Sequence, residues 1–155
     1  MIGGFVPWRI VLVRTDTAFA AIQAFEAFPS GVQFELVARF HDRDVDLENW
    51  HPLLRDHRGL RVGVRFSDGR SGATDLFAAQ PRAMRPGEVL LRLGGGFGHR
   101  DEHHMSMWLW PLPSPGPMAS VAAWPEMGIS EHSIDADASD LVAAASRAER
   151  LWPDA

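Results

Sequence analysis

Hydrophobic and polar positions alternate most regularly over residues 32–40 (V-Q-F-E-L-V-A-R-F). Val32, Phe34, Leu36, Ala38 and Phe40 fall on one side and Gln33, Glu35 and Arg39 on the other, with Val37 alone off pattern. A period of two marks a strand with one buried face. Pro29-Ser30-Gly31 stands before it as a turn signal. Residues 17–28 are therefore expected to pair with 32–40 as a hairpin, although Ala, Gln and Glu in that stretch also suit a helix. Residues 9–15 (R-I-V-L-V-R-T) read as a first strand, bounded by Pro7 and Asp16. Residues 60–66 alternate again, with Leu60, Val62, Val64 and Phe66 on one face. Ser67-Asp68-Gly69-Arg70 supplies a tight hairpin turn into a weaker strand over 71–78. Val89–Leu93 is an apolar strand that ends at Gly94. Residues 103–110 and 118–125 are expected to form a central hairpin, and Pro111, Pro113, Pro115 and Pro117 make its connection a stiff loop. Residues 129–136 are a last extended segment. A helix is expected over 138–152, with Asp137 at its start and Leu141, Ala144, Ala145, Ala148, Leu151 and Trp152 as its apolar stripe.

About eight or nine short strands and one terminal helix make the chain mainly β. The most economical architecture is an antiparallel two-sheet β-sandwich with one C-terminal α-helix. With 155 residues and no internal repeat or linker, 1–155 reads as a single domain. Composition then removes several chemistries. There is no cysteine, lysine or tyrosine, so thiol catalysis, disulfides, Schiff bases and a P-loop lysine are excluded. A net charge of −5 with scattered arginines leaves no electrostatic footprint for nucleic acid. No apolar run approaches the ~18 residues of a membrane helix. Met1–Ile10 has no basic segment followed by a long apolar one, so a cytoplasmic location is expected.

The candidate chemistry lies between residues 89 and 125. His99-Arg100-Asp101-Glu102-His103-His104 is a cluster of ionisable side chains. In an extended chain His99, Asp101 and His103 share one face, and Glu102 and His104 share the other. Two imidazoles and a carboxylate on one face could ligate a divalent transition metal, and Met105 and Met107 on that face would also admit copper(I). Ligands at every second residue spread over about 13 Å of strand, so a tight site needs others, such as His41, His51, His57 or His132. Asp42, Asp44, Asp46 and Glu48 briefly resemble a calcium loop, but Leu47 and Leu53 stand where glycine and the bidentate glutamate are needed. Gly94–Gly98 reads as a mobile connection between strands; it opens no helix and supplies no lysine, so it is not a phosphate loop. No serine lies in a nucleophile-elbow context. Six tryptophans are many for this length. A hairpin turning about Ser114 puts Trp108, Trp110 and Trp124 on one face, which is either core or an aromatic platform.

The glycine segment, the run W-L-W-P-L-P-S-P-G-P and W-P-E-M-G-I (Trp124 to Ile129) together resemble a set of small uncharacterised proteins of high-GC bacteria. The resemblance extends to Phe28–Gly31 and the Ala-rich C-terminus, and it departs at Ser114, where another proline is expected. It implies a shared fold and carries no activity. The residues themselves favour a non-enzymatic binding module for a protein or small ligand, with Phe97, Trp108, Trp110 and Trp124 as contacts beside the glycine loop and the proline turn. The alternative is a metal-binding protein, or a metal-dependent hydrolase or oxidase, with His99, Asp101, His103 and His104 as ligands. A third reading is self-association into a homo-oligomer through an uncovered sheet edge near Met105–Trp110.

Overall fold

The computed structural model describes residues 1–41, 59–74, 87–99 and 101–153. Its strands are β1 (Gly4–Arg14), β2 (Ala18–Phe28), β3 (Gly31–Phe40), β4 (Arg61–Arg65), β5 (Ser71–Ala73), β6 (Leu90–His99), β7 (Glu102–Trp110), β8 (Pro117–Trp124) and β9 (Ile129–Asp137), followed by the helix α1 (Ser139–Ala145). One sheet has the order β1-β2-β3-β7-β6 and the other β5-β4-β8-β9, with every pairing antiparallel. The chain is mainly β, a two-sheet antiparallel sandwich with one short C-terminal helix.

The alternation of β3 decides which way the first sheet faces. Val32, Phe34, Leu36, Ala38 and Phe40 point into the sandwich, joined by Met105, Met107 and Leu109 of β7. Val62 and Val64 of β4 and Met118, Ala122 and Trp124 of β8 meet them from the other sheet. The hairpin of β2 and β3 forms as expected, closing on the pair Phe28–Gly31. The sheets are tied together at both margins. The His132 side chain of β9 reaches the Leu12 carbonyl of β1, and Thr74, just past β5, bridges to Leu91 of β6.

The helix lies against β1 and β2, and Gly4 makes this possible. A Cβ at Gly4 would fall 1.8 Å from the Ala144 carbonyl oxygen, so only glycine permits the approach. Leu141, Ala144 and Ala145 are the buried stripe, and the Trp8 indole N–H donates to Asp140. Asp137 accepts the Ser139 N–H at 2.9 Å, which lowers its carboxyl pKa.

Four expectations are corrected. The helix ends at Ala145, short of 152; the chain then turns so that Glu149 pairs with Ile2, leaving Leu151 and Trp152 exposed. β6 does not stop at Gly94 but runs through the glycines to His99, with a bulge between Leu93 and Gly96. β7 and β8 are not a hairpin: they belong to opposite sheets, and the proline-rich connection carries the chain across. β7 is also a central strand between β3 and β6, so Met105–Trp110 is not a sheet edge. The acidic loop 42–48, His51 and His57 lie outside the described residues.

Candidate functional site

The outer face of the five-stranded sheet is built in cross-strand rows. Phe5, Glu26, Gln33, Trp108 and Arg92 make one row across all five strands. Arg9, Gln23, Glu35 and Ser106 make the next, and Val11, Ala21, Val37, His104 and Phe97 the third. Phe19, Arg39 and Glu102 follow. Val37, off pattern in the sequence, sits on this outer face beneath the polar groups and is buried there.

A continuous polar ladder crosses the face. Arg9 donates to Gln23 at 2.9 Å, and Gln23 donates to Glu35 at 3.0 Å. The Glu35 carboxylate meets His104 Nδ1 at 3.2 Å, and His104 Nε2 meets Glu102 at 2.7 Å. Arg39 then donates to Glu102 at 2.8 Å. A neutral imidazole has one N–H, so two carboxylates on its two nitrogens favour the imidazolium. The bond to Glu102, reinforced by Glu35, accordingly raises the His104 pKa against the opposing effect of burial. The same bond to His104, with help from Arg39, holds the Glu102 carboxyl below its ordinary value.

Phe97 lies on this imidazole, with ring centroids 4.7 Å apart and planes within 11°. Its outer side is open, and the residue is 71% exposed. Beside the stack is a shallow cavity of about 260 Å³, lined among others by Glu26, Gln33, Glu35, Phe97, His104 and Ser106. Two bulges flank it. One, in β2 between Gln23 and Glu26, holds Ala24 at φ 55°, and the other is the glycine bulge of β6. Bulges re-aim side chains, and a non-glycine residue at positive φ is a strained position that packing must enforce.

The structure separates the proposed metal ligands. His103 and His104 are successive residues of β7 and point to opposite faces, His103 inward and His104 outward. The His103 ring is parallel to Phe40, at 6.2 Å between centroids, and packs against Gly98, where a Cβ would lie 2.3 Å from Nδ1. Asp101 lies in the turn before β7, and its carbonyl accepts from Phe40 N–H; His99 pairs with Glu102 through the β6–β7 ladder. Asp101 lies outside β7 and His103 within it, so the two are not alternate positions of one extended strand. Among the described residues no group of three or more His, Cys, Asp or Glu could hold a metal ion.

The tryptophans separate in the same way. Trp124 is fully buried between the sheets and is not a surface contact. Trp108 is half-buried on the outer face, 5.8 Å from Phe28, and Trp110 is half-buried at the end of β7. The proline turn that follows is anchored: Ser67 donates to the Pro115 carbonyl, and Arg70 and Ser114 both donate to Asp68, holding its carboxyl down at about 2. It lies at the opposite end of β7 from Phe97, so the two do not make one surface.

Glu35, Gln33, Gln23 and Ser106 were not among the expected site residues. Their signal was present: Gln33 and Glu35 are outward positions of the most regular alternating strand. Comparison with protein-family models, curated proteins and solved structures found no match. No helix among the described residues is long and apolar enough to cross a membrane.

Proposed function

We propose that this chain is a non-enzymatic binding module whose recognition surface is the outer face of the five-stranded sheet, centred on Phe97 and its cavity. The observation that carries this reading is an aromatic ring held out to solvent, with its inner side fixed on an imidazole that two carboxylates clamp. Such a ring is a preorganised contact, since its position costs little further ordering on binding. Trp108 and Gln33, opposite each other across β3 and β7, extend the surface.

The arrangement suits binding better than catalysis. Both nitrogens of His104 are engaged with carboxylates, so the imidazole is a poor proton acceptor for a reacting group. Ser106 is hydrogen-bonded by Gln33 at 3.4 Å, and among the described residues no carboxylate or imidazole is hydrogen-bonded to its hydroxyl. A cytoplasmic location belongs to the same proposal.

A thermal-shift and NMR screen against sugars, nucleosides, amino acids, organic cations and short peptides tests it. The expected result is a ligand class that perturbs the wild-type protein and loses its effect in Phe97→Ala. Phe97 is exposed, so this variant keeps the fold, checked by near-UV circular dichroism. Ligands indifferent to Phe97→Ala, or turnover of any of them, would overturn the reading.

A further inference from the structure

We infer that the ligand of the Phe97 cavity is a neutral, polyhydroxylated ring: a saccharide unit stacked on Phe97 and hydrogen-bonded by Gln33, Glu35 and Ser106. The inference rests on the binding-module reading and specifies its ligand.

Charge is the first argument. The ladder and cavity carry Arg9, Arg39 and His104, whose two ring nitrogens both meet carboxylates, against Glu26, Glu35 and Glu102, so basic and acidic groups are matched in number. Most of them are already spent on one another. Arg39 and His104 are both on Glu102, and Glu35 is shared by Gln23 and His104. Arg9, on the Gln23 amide, and Glu26, on the Gly3 N–H, are left without an ionic partner among the described residues, one of each sign, so neither a phosphate nor a polycation meets a cluster of opposite charge here. A neutral ligand needs no such cluster.

The second argument is the hydrogen-bonding inventory. Gln33 offers an amide with donors and acceptors, of which one donor is used in a long 3.4 Å bond to Ser106. The Ser106 hydroxyl donates as well as accepts, and the Glu35 contacts all fall on one carboxylate oxygen, Oε1. These are short, planar or hydroxylic groups presenting donors and acceptors side by side. Adjacent hydroxyls of a sugar need that combination, because each must both give and receive a hydrogen bond.

The third argument is shape. The cavity, about 260 Å³ and shallow, holds one ring and not an extended apolar molecule. Phe97 borders it with an open aromatic side, on which the C–H face of a sugar ring packs while its hydroxyls turn toward the polar groups. An apolar aromatic ligand would leave Glu35, Gln33 and Ser106 covered without partners, which is costly.

An array of defined neutral and acidic oligosaccharides, probed with labelled full-length protein, tests the inference. Titration calorimetry with the best neutral glycan then compares Phe97→Ala, Glu35→Gln and Ser106→Ala with wild type. Binding of at least one neutral glycan is expected. Its affinity should fall at least tenfold in Phe97→Ala and several-fold in Ser106→Ala, with melting temperatures unchanged in both. The saccharide assignment is overturned if only acidic glycans are retained, or if neutral ones bind equally to Phe97→Ala. If sugars fail but nucleosides, peptides or cations bind in a Phe97-dependent way, the saccharide inference falls and the binding-module reading stands. If no class binds, both fall.

Discussion

His103 and His104 are neighbours in the chain and opposites in their surroundings. His103 belongs to the inner face of β7 with Met105, Met107 and Leu109, where its ring lies against Phe40 and the bare backbone of Gly98. His104 belongs to the outer face with Ser106 and Trp108, where two carboxylates and Phe97 hold it. One strand thus supplies a packing surface and a recognition surface, separated only by the parity of residue number. Inner residues are held by shape, which tolerates little change. Outer residues are held by charge and hydrogen bonds, which tolerate substitution but depend on pH.

The largest test of this contrast uses two tryptophans. Trp124→Ala removes a fully buried side chain from between the sheets and should cost about 3–5 kcal/mol. Trp108→Ala, on the half-buried outer face, should cost about 1–2 kcal/mol, since less apolar area returns to water. Urea midpoints of the two variants measure the difference. Equal losses would mean that the outer face is as much core as the inner one.

A smaller effect is expected where the inner face depends on glycine. Gly98→Ala would put a methyl group 2.3 Å from His103 Nδ1 and force the ring off its place, at about 1–3 kcal/mol. His103→Ala in the same molecule removes the clash, so the double variant should lose less than the sum of the two single losses. Strict additivity would show that the ring and the glycine do not press on each other.

The third test is pH. His104 has a raised pKa in the folded chain, so its contribution is complete below its unfolded value and is lost as pH rises through the folded one. Glu102 has a lowered pKa, so its contribution is present above its unfolded value and is lost as pH falls through the folded one. The ladder is therefore most stabilising between these two limits, in mildly acidic solution. The stability advantage of wild type over His104→Gln should shrink on going from pH 6 to alkaline pH, roughly as His104 titrates. Chemical denaturation across that range reads it. A constant difference would show that His104 is not the imidazolium between Glu35 and Glu102.

Much of the inner face was legible in the sequence, and the reason is local. Alternation over 32–40 assigned every inward residue of β3, and the separation of Met105, Met107 and Leu109 from Trp108 and Trp110 followed from parity alone. Long-range pairing was not legible. The segments 103–110 and 118–125 look like hairpin partners across a proline loop, but each found its partners elsewhere, β3 and β6 for one and β4 and β9 for the other. Local pattern is silent on which sheet a strand joins, so Trp124 could not be told from Trp108. The glycines of β6 were read as a loop because glycine weakens strands. At this sheet margin they instead admit a bulge and the close approach of His103. The ladder was invisible because its members are far apart in sequence: Glu35 and His104 meet only because β3 pairs with β7.

The smallest expected effect concerns Ser120, which breaks the rule that polar groups belong outside. It is fully buried on the inner side of β8, and its hydroxyl has no hydrogen-bond partner among the described residues. A hydroxyl taken out of water without a partner destabilises the fold. Ser120→Ala removes that group and leaves a cavity smaller than a methyl, so stability should stay the same or rise by about 1 kcal/mol. Ser106→Ala on the outer face makes the matched control. It removes a hydroxyl that, among the described residues, accepts one long bond from Gln33, so it should leave stability unchanged while weakening ligand binding. If Ser120→Ala instead lost more than about 1 kcal/mol, the hydroxyl would have to be satisfied in solution, by a buried water between the sheets. The inner face would then hold one polar group by the same means as the outer face, and the division along β7 would not extend to β8.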